Sequence, residues 1–177
     1  MTTNFQKVGE FHKVFGHPQT TIPQLDITTT NPKLVQFRTA LIEEELSEFK
    51  EAVKQNDFIE MTDALADMLY VIYGAGHALG IDLDKVFAEV HASNMSKLCQ
   101  TEEEAQLTVE NYKKTNTVYK NPQYRQSGNY WTVYDADTSK ILKSINFKLP
   151  DIKSVLVEHQ PDQDHHENAE NDVSGGQ

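Results

Sequence analysis

Residues 41–73 (LIEEELSEFKEAVKQNDFIEMTDALADMLYVIY) carry acidic side chains at positions where an amphipathic helix would bury apolar ones. In an α-helix, residues three and four positions apart share one face. One such line begins with the apolar residues Leu34, Phe37 and Leu41 and continues as the acidic residues Glu44, Glu45 and Glu48. Any fold of this chain must therefore accommodate carboxylates on the inner face of a helix.

Two helices joined by a short turn account for this spacing. The Asn-Pro pair at residues 31–32 is typical of a helix start, and the first helix is predicted to end near Gln55. Asp57 is predicted to cap a second helix, with Glu60 as its capping-box partner, and this helix continues until Gly80. Because the connection is short, we expect the two helices to pack antiparallel.

The second helix repeats the acidic pattern, since Glu60, Asp63 and Asp67 fall at i, i+3 and i+7. At a rise of about 1.5 Å per residue, Glu48 and Asp63 lie at similar distances from the turn, and Glu44 and Asp67 match one turn further on. Repulsion and desolvation in such a patch require cations or bound protons. All-oxygen donors favour hard cations, so we predict Mg²⁺, or Mn²⁺, ahead of Zn²⁺. The predicted metal ligands are Glu44, Glu45, Glu48, Glu60, Asp63 and Asp67.

Simpler interpretations apply to parts of this pattern. A charge run is usually a solvated helix face, and Glu51 with Lys50 and Lys54 fits that interpretation. Glu60 is explained equally well as a capping residue. Asp67 is different, because its neighbours make this helix apolar almost all round: Leu65, Ala66, Met68 and Leu69. A carboxylate in that position needs a partner.

The pairing of EELSE (residues 44–48) with EMTD (residues 60–63) resembles the EExxE and ExxD motifs of the all-α NTP pyrophosphohydrolases. This is the superfamily of MazG, dimeric dUTPases and phosphoribosyl-ATP pyrophosphohydrolase. Residues 63–98 (DALADMLYVIYGAGHALGIDLDKVFAEVHASNMSKL) look like its MazG-like and phosphoribosyl-ATP pyrophosphohydrolase-like branch. The likeness extends over residues 4–98 and, more loosely, residues 140–152. Many relatives place the second motif's acid where this chain has Ala64, which leaves Asp63 or Glu60 as its replacement.

The resemblance implies Mg²⁺-dependent hydrolysis of a nucleoside triphosphate between its α and β phosphates. Bound metal would activate a water, and either Glu45 or Glu48 would accept the water proton. Relatives assemble as dimers or tetramers, so we expect a homo-oligomer. Two alternatives stay open: a phosphoribosyl-ATP pyrophosphohydrolase of histidine biosynthesis, and a non-catalytic module that binds nucleotides or divalent ions. The missing acid at Ala64 favours the second of these.

A third helix is predicted over residues 82–98, with an inner face made of Leu83, Val86, Phe87 and Val90. That face continues to Asn94 and Lys97. A lysine near a helix end more often meets the helix dipole or snorkels than binds a ligand. The resemblance implies a second role, in which Asn94 and Lys97 contact the sugar and phosphates of the substrate.

Composition limits the remaining possibilities. The chain has 177 residues, which suits one globular domain (residues 1–157) and a disordered acidic tail (residues 158–177). A net charge of -11 argues against a nucleic-acid partner. A single cysteine, Cys99, excludes an intramolecular disulfide. With no apolar run of about 20 residues and no signal peptide, we expect no membrane partner and a cytoplasmic location.

The rest of the chain is predicted to extend an all-α bundle of about four main helices. Residues 4–15 have the apolar spacing of a short helix, and residues 20–30 look like a loop over the bundle mouth. Thr101 and Glu104 predict a capping box for a fourth helix. Residues 116–129 are predicted to form a loop. Segments 130–134 and 140–145 are predicted to form a small appended β-hairpin.

Overall fold

The computed structural model describes residues 1–115 and 118–157. The elements in chain order are α1 (Asn4–Phe15), α2 (Ile27–Thr30), α3 (Pro32–Gln55), α4 (Phe58–Leu79), α5 (Leu83–Met95), α6 (Glu102–Thr115), β1 (Pro122–Ser127), β2 (Tyr130–Asp135) and α7 (Ile152–Val157). This mostly helical fold with one two-stranded sheet agrees with the predicted class. The tail predicted over residues 158–177 lies outside the described residues.

Helices α3 and α4 form the expected antiparallel hairpin, and local capping sets their bounds. The Asn31 side chain accepts a hydrogen bond from the Leu34 backbone N–H at 3.2 Å. The Asp57 carboxylate accepts from the N–H groups of Ile59 and Glu60 at 3.1 and 3.2 Å. The capping box predicted for Glu60 is wrong, because the Asp57 N–H already donates to the Ala52 carbonyl that ends α3. Glu60 therefore does not cap α4 as predicted.

The bundle of four helices is not confirmed within one chain. Helix α4 packs against α3 on one side and α1 on another, and α2 packs on α3. Helix α5 instead turns by 112° after α4 and packs against α7. Within one chain the predicted inner position of Phe87 is wrong, since 71% of this residue is exposed. The sharp turn at Gly80 therefore separates α5 from the α3–α4 hairpin.

A separate hydrophobic core lies in the C-terminal half of the described chain. Its buried members are Cys99, Ala105, Val109, Val133 and Leu142, with Tyr112, Tyr119, Tyr124 and Trp131 packed around them. The Cys99 and Trp131 backbones exchange two hydrogen bonds, at 2.8 and 2.9 Å, which join the segment before α6 to β2. The sheet therefore packs on α6.

In the β-hairpin, β2 pairs with a different segment of the chain from the one predicted. Strand β2 pairs antiparallel with β1, so residues 122–127 form a strand inside the predicted loop. The connection is the two-residue turn Gly128-Asn129, where Gly128 has φ 61°. A glycine that supplies positive φ at the first turn position is a hairpin signal. Residues 140–145 contribute only an isolated bridge between Ile141 and Tyr134.

No single helix of the described part is long and apolar enough to cross a membrane. Helices α4 and α5 meet the length and composition requirements only when taken together, as a pair bent by 112°.

Helix α1 docks on α4 through buried His12, which is 2% exposed. Its Nδ1 lies 2.8 Å from the carbonyl oxygen of Pro18, to which a neutral ring donates an Nδ1–H. Burial lowers the pKa of His12, and the positive charges of Arg38, His77 and His17 add to this effect. The folded state therefore favours the neutral imidazole.

A pH dependence of stability follows from this lowered pKa. The contribution of His12 to the free energy of unfolding is fully present above its unfolded-state pKa of about 6.5. This contribution is lost as pH falls towards the lower pKa of the folded state. His12→Gln keeps a hydrogen-bond donor but does not titrate. We expect its melting temperature to fall less than that of the wild type between pH 7.5 and 5.5, measured by circular dichroism. Equal falls would contradict the assignment, and exposed His91→Gln is the control.

Candidate functional site

The face of α3 that meets α4 follows positions seven residues apart. Arg38 and Ala52 are buried at 5% exposure each, and Glu45 lies partly buried between them. Phe37, which the apolar pattern assigned to the inner face, is 47% exposed. The inner face is therefore rotated by one position, which makes Glu45 the acidic residue at its centre.

Glu45 has the least solvated carboxylate of the acidic set. Its Oε2 atom is buried and has no hydrogen-bond partner. Burial raises the pKa of Glu45, and the negative charges of Glu48, Asp67, Glu44 and Asp63 raise it further, in that order. Four other predicted metal ligands, from both helices, therefore act on this carboxylate. A buried oxygen without a partner is unfavourable unless a proton or a cation compensates it.

On α4 the position expected to carry an acid faces inwards. Ala64 is 3% exposed, while Asp63 and Asp67 are both exposed. Asp63 is among the charges that raise the pKa of Glu45, and Glu60 is not. Of the two replacements considered for the acid missing at Ala64, Asp63 is thus the one coupled to Glu45.

The carboxylates line two helix faces without closing around one point. Within the described ranges, no group of three or more His, Cys, Asp or Glu side chains is arranged to hold a metal ion. The chemistry of the donors still fits a hard divalent cation, because every coupled group is a carboxylate and the Glu45 Oε2 has no partner. The ligand role of each residue stays a prediction.

Asn94 and Lys97 lie at the end of α5 and contact each other. The Lys97 ammonium donates to the Asn94 amide oxygen at 2.7 Å. Across the residues that the structure describes, no carboxylate forms an ion pair with Lys97. Lys97 instead lines a cavity next to α6. Their predicted substrate contacts stay a prediction.

Arg38 is a residue that the sequence analysis missed. Its Nε and Nη2 atoms are buried without hydrogen-bond partners, and burial lowers its pKa. A side chain at Gly74 would come within 3.1 Å of Arg38 Nη1 and 3.0 Å of His12 Nε2, so a glycine on α4 makes room for both. The sequence pattern that could have predicted this role is its spacing: Arg38 lies four residues after Leu34 and seven before Glu45, so a cation shares the helix face that the apolar residues predict to be buried.

Comparison with known proteins adds two findings. Residues 8–94 match the phosphoribosyl-ATP pyrophosphohydrolase family. An uncharacterised protein of Acanthamoeba polyphaga mimivirus is 30% identical over 240 aligned positions, which cover 87% of this chain and 96% of the viral protein. The family match includes the whole acidic face and Asn94. It ends before Lys97 and the C-terminal core.

Proposed function

Since the chain belongs to the phosphoribosyl-ATP pyrophosphohydrolase family, within the MazG-like all-α NTP pyrophosphohydrolase superfamily, we propose that it is a Mg²⁺-dependent nucleoside triphosphate pyrophosphohydrolase. The family is one of nucleotide pyrophosphohydrolases, which are generally dependent on divalent metals. The proposed reaction breaks the bond between the α and β phosphates and releases a nucleoside monophosphate and pyrophosphate. The observation that carries the proposal is the buried, unpartnered Oε2 of Glu45 beside carboxylates from both helices.

The proposed roles follow from position on the acidic face. Glu44, Glu48, Asp63 and Asp67 hold Mg²⁺ together with Glu45, and Mn²⁺ is the expected substitute. Bound Mg²⁺ supplies a Lewis acid that lowers the pKa of a water and offsets charge on the phosphates.

Glu45 is the preferred general base. Its buried Oε2 has no hydrogen-bond donor in the described chain, so this oxygen is available to accept the proton of a water. Asn94 and Lys97 are proposed to contact the sugar and the outer phosphates.

We also propose that the active protein is a homo-oligomer, a dimer or a tetramer. Several large apolar side chains of α4 and α5 are 49–79% exposed in the single chain: Phe58, Ile59, Leu65, Leu69 and Phe87. A second copy packing on these residues would complete a helical bundle that one chain leaves open. Light scattering coupled to size exclusion measures the assembly. We propose a cytoplasmic location, without nucleic-acid or membrane partners.

Mg²⁺ is expected to raise the melting temperature progressively, because it binds the folded carboxylate face and relieves its repulsion. The gain is about 1.4 kcal/mol when the free ion is tenfold above its dissociation constant. Scanning calorimetry in EDTA and at increasing MgCl₂ measures it, with NaCl of matched ionic strength as control. No response to millimolar Mg²⁺ beyond the NaCl effect would contradict the metal site.

The reaction is tested by pyrophosphate release from a panel of nucleoside triphosphates and phosphoribosyl-ATP, with and without Mg²⁺. Mg²⁺-dependent release from one or more triphosphates is the expected result. Release from phosphoribosyl-ATP alone would establish the histidine-biosynthesis alternative. Binding without any release would establish the non-catalytic module, which the alanine at position 64 and the open carboxylate arrangement favour.

A further inference from the structure

A second candidate site lies outside the segment that matches the family. It is a cavity of about 460 Å³, which we call the lysine cavity, within the usual range for ligand sites of roughly 300–1,000 Å³. Its lining contains no residue of α3 or α4 and is formed by the aliphatic residues 141–142 together with Lys97, Lys140, Lys143, Tyr112 and Tyr119. The cavity is therefore lined by three cations and two aromatic rings.

The positive charge of the lysine cavity is not neutralised by the protein. Within residues 1–115 and 118–157, none of the three cavity lysines forms an ion pair, in contrast to Lys54 with Glu51 and Lys114 with Glu110. Lys140 and Lys143 instead lie over the rings of Tyr119 and Phe147, at 5.9 and 4.5 Å from the ring centroids. In a chain of net charge -11, three neighbouring ammonium groups without a carboxylate mark a local positive potential.

The segment that carries two of these lysines is held rigidly. The Leu142 N–H donates to the Val133 carbonyl at 2.8 Å, and the Asp135 N–H donates to the Lys140 carbonyl at 2.9 Å. The Tyr112 hydroxyl accepts from the Lys143 N–H at 3.1 Å, which ties the segment to α6. The backbone that presents Lys140 and Lys143 is thus fixed before any ligand arrives, which lowers the entropy cost of binding.

We propose that the lysine cavity binds the phosphate groups of a nucleotide. Ammonium groups are strong donors to phosphate oxygens, and the tyrosine rings suit the flat base of the same ligand. Two sources supply this chemistry: the outer phosphates of the substrate itself, an assignment that rests on the proposed function, or a separate nucleotide, which does not. In both cases the phosphates are contacted by Lys97 together with Lys140 and Lys143.

Binding of inorganic pyrophosphate to the full chain in EDTA tests the proposal, because without metal the carboxylate face repels anions. Isothermal titration calorimetry at about 0.15 M salt, where the Debye length is about 8 Å, suppresses long-range attraction. We expect saturable binding to the wild type and a dissociation constant about a hundredfold higher for Lys140→Gln/Lys143→Gln, about tenfold for each charged contact. The charge-matched control Lys13→Gln/Lys33→Gln removes two exposed lysines of α1 and α3 and should bind as the wild type does.

The outcomes separate the proposal from the function of the carboxylate face. Absence of pyrophosphate binding by the wild type, or equal weakening in the control, would overturn the proposal whether or not the protein hydrolyses nucleotides. If binding is lost only in the cavity variant, the KM for the best nucleotide identifies the source of the phosphates. A raised KM assigns the cavity to the substrate, and an unchanged KM assigns it to a separate nucleotide.

Discussion

Replacing Glu45 by glutamine is expected to slow pyrophosphate release strongly and at the same time stabilise the metal-free protein. The substitution keeps size and hydrogen-bonding capacity but removes a negative charge that is partly buried and repelled by four other carboxylates. A raised carboxyl pKa means that stability is lost as pH rises through the folded value, so at neutral pH the ionised group is unfavourable. Glutamine removes that penalty.

The loss of turnover should be about a hundredfold or more, as is common when a catalytic acid–base group is removed. Pyrophosphate release at saturating Mg²⁺ measures this loss, and thermal unfolding in EDTA measures the gain in stability. Glu48→Gln should also lose turnover, since Glu48 is a proposed ligand, but with a smaller gain in stability because its side chain is exposed.

Glu51→Gln on the same helix is the control. Glu51 is exposed and accepts hydrogen bonds from Lys54 and Gln55 at 3.0 and 3.1 Å, and it is not among the charges that raise the pKa of Glu45. This variant should retain wild-type turnover and nearly wild-type stability, since exposed ion pairs contribute little. Full activity in Glu45→Gln, or loss of activity in Glu51→Gln, would show that the acidic face is not the reaction site.

Gly80→Ala is expected to be the most destabilising single-methyl change in the helical hairpin. Gly80 has φ 73°, and a Cβ atom there would overlap the Ile22 carbonyl group. That carbonyl belongs to a segment held at the end of α4 by two hydrogen bonds of 3.0 Å, from Thr20 N–H to His77 and from Gln24 N–H to Leu79. The added methyl group therefore forces this segment away from the helix end.

We expect a loss of about 3 kcal/mol, which combines roughly 1–2 kcal/mol for a left-handed alanine with the steric displacement. For a chain of this size that corresponds to a fall in melting temperature of roughly 6–12 °C. Gly16→Ala is a matched control, because Gly16 also ends a helix with φ 67° but has nothing within 4 Å of the added methyl. It should lose only the conformational part. Equal melting temperatures for the two variants would contradict the contact with Ile22.

Local chemistry determined the bounds of the helical hairpin. Asn31, Asp57 and Gly80 act on backbone groups within a few residues of themselves, so their capping roles can be predicted from sequence and are confirmed. The same holds for α1, which ends before Gly16 as predicted. The family also followed from short motifs at fixed spacing on these two helices, and the match over residues 8–94 confirms it.

The β-hairpin and the direction of α5 depend on contacts between residues that are distant in sequence. Strand β1 is mostly polar and starts at Pro122, so only its pairing with β2 over α6 reveals it as a strand. Helix α5 has an amphipathic pattern that fits a bundle, yet the turn at Gly80 directs it elsewhere. One cavity is lined by Lys97, Lys140 and Lys143, which are distant in sequence. They come together only because α6 and β2 bring the end of α5 next to residues 140–143.

The sequence predicted carboxylates on the inner side of α3, and only tertiary packing decided that Glu45 is the one that is partly buried, while Glu44 and Glu48 are exposed. Adjacent helix positions differ by about 100° in direction, so rotating the helix by part of a turn exchanges Phe37 for Arg38 at the interface. That rotation is set by α4, where Gly74 leaves room for the Arg38 and His12 side chains. The same rotation turns Glu45 inwards with an unpartnered oxygen. Periodicity within one helix carries no information about this choice, because the space that decides it belongs to another helix.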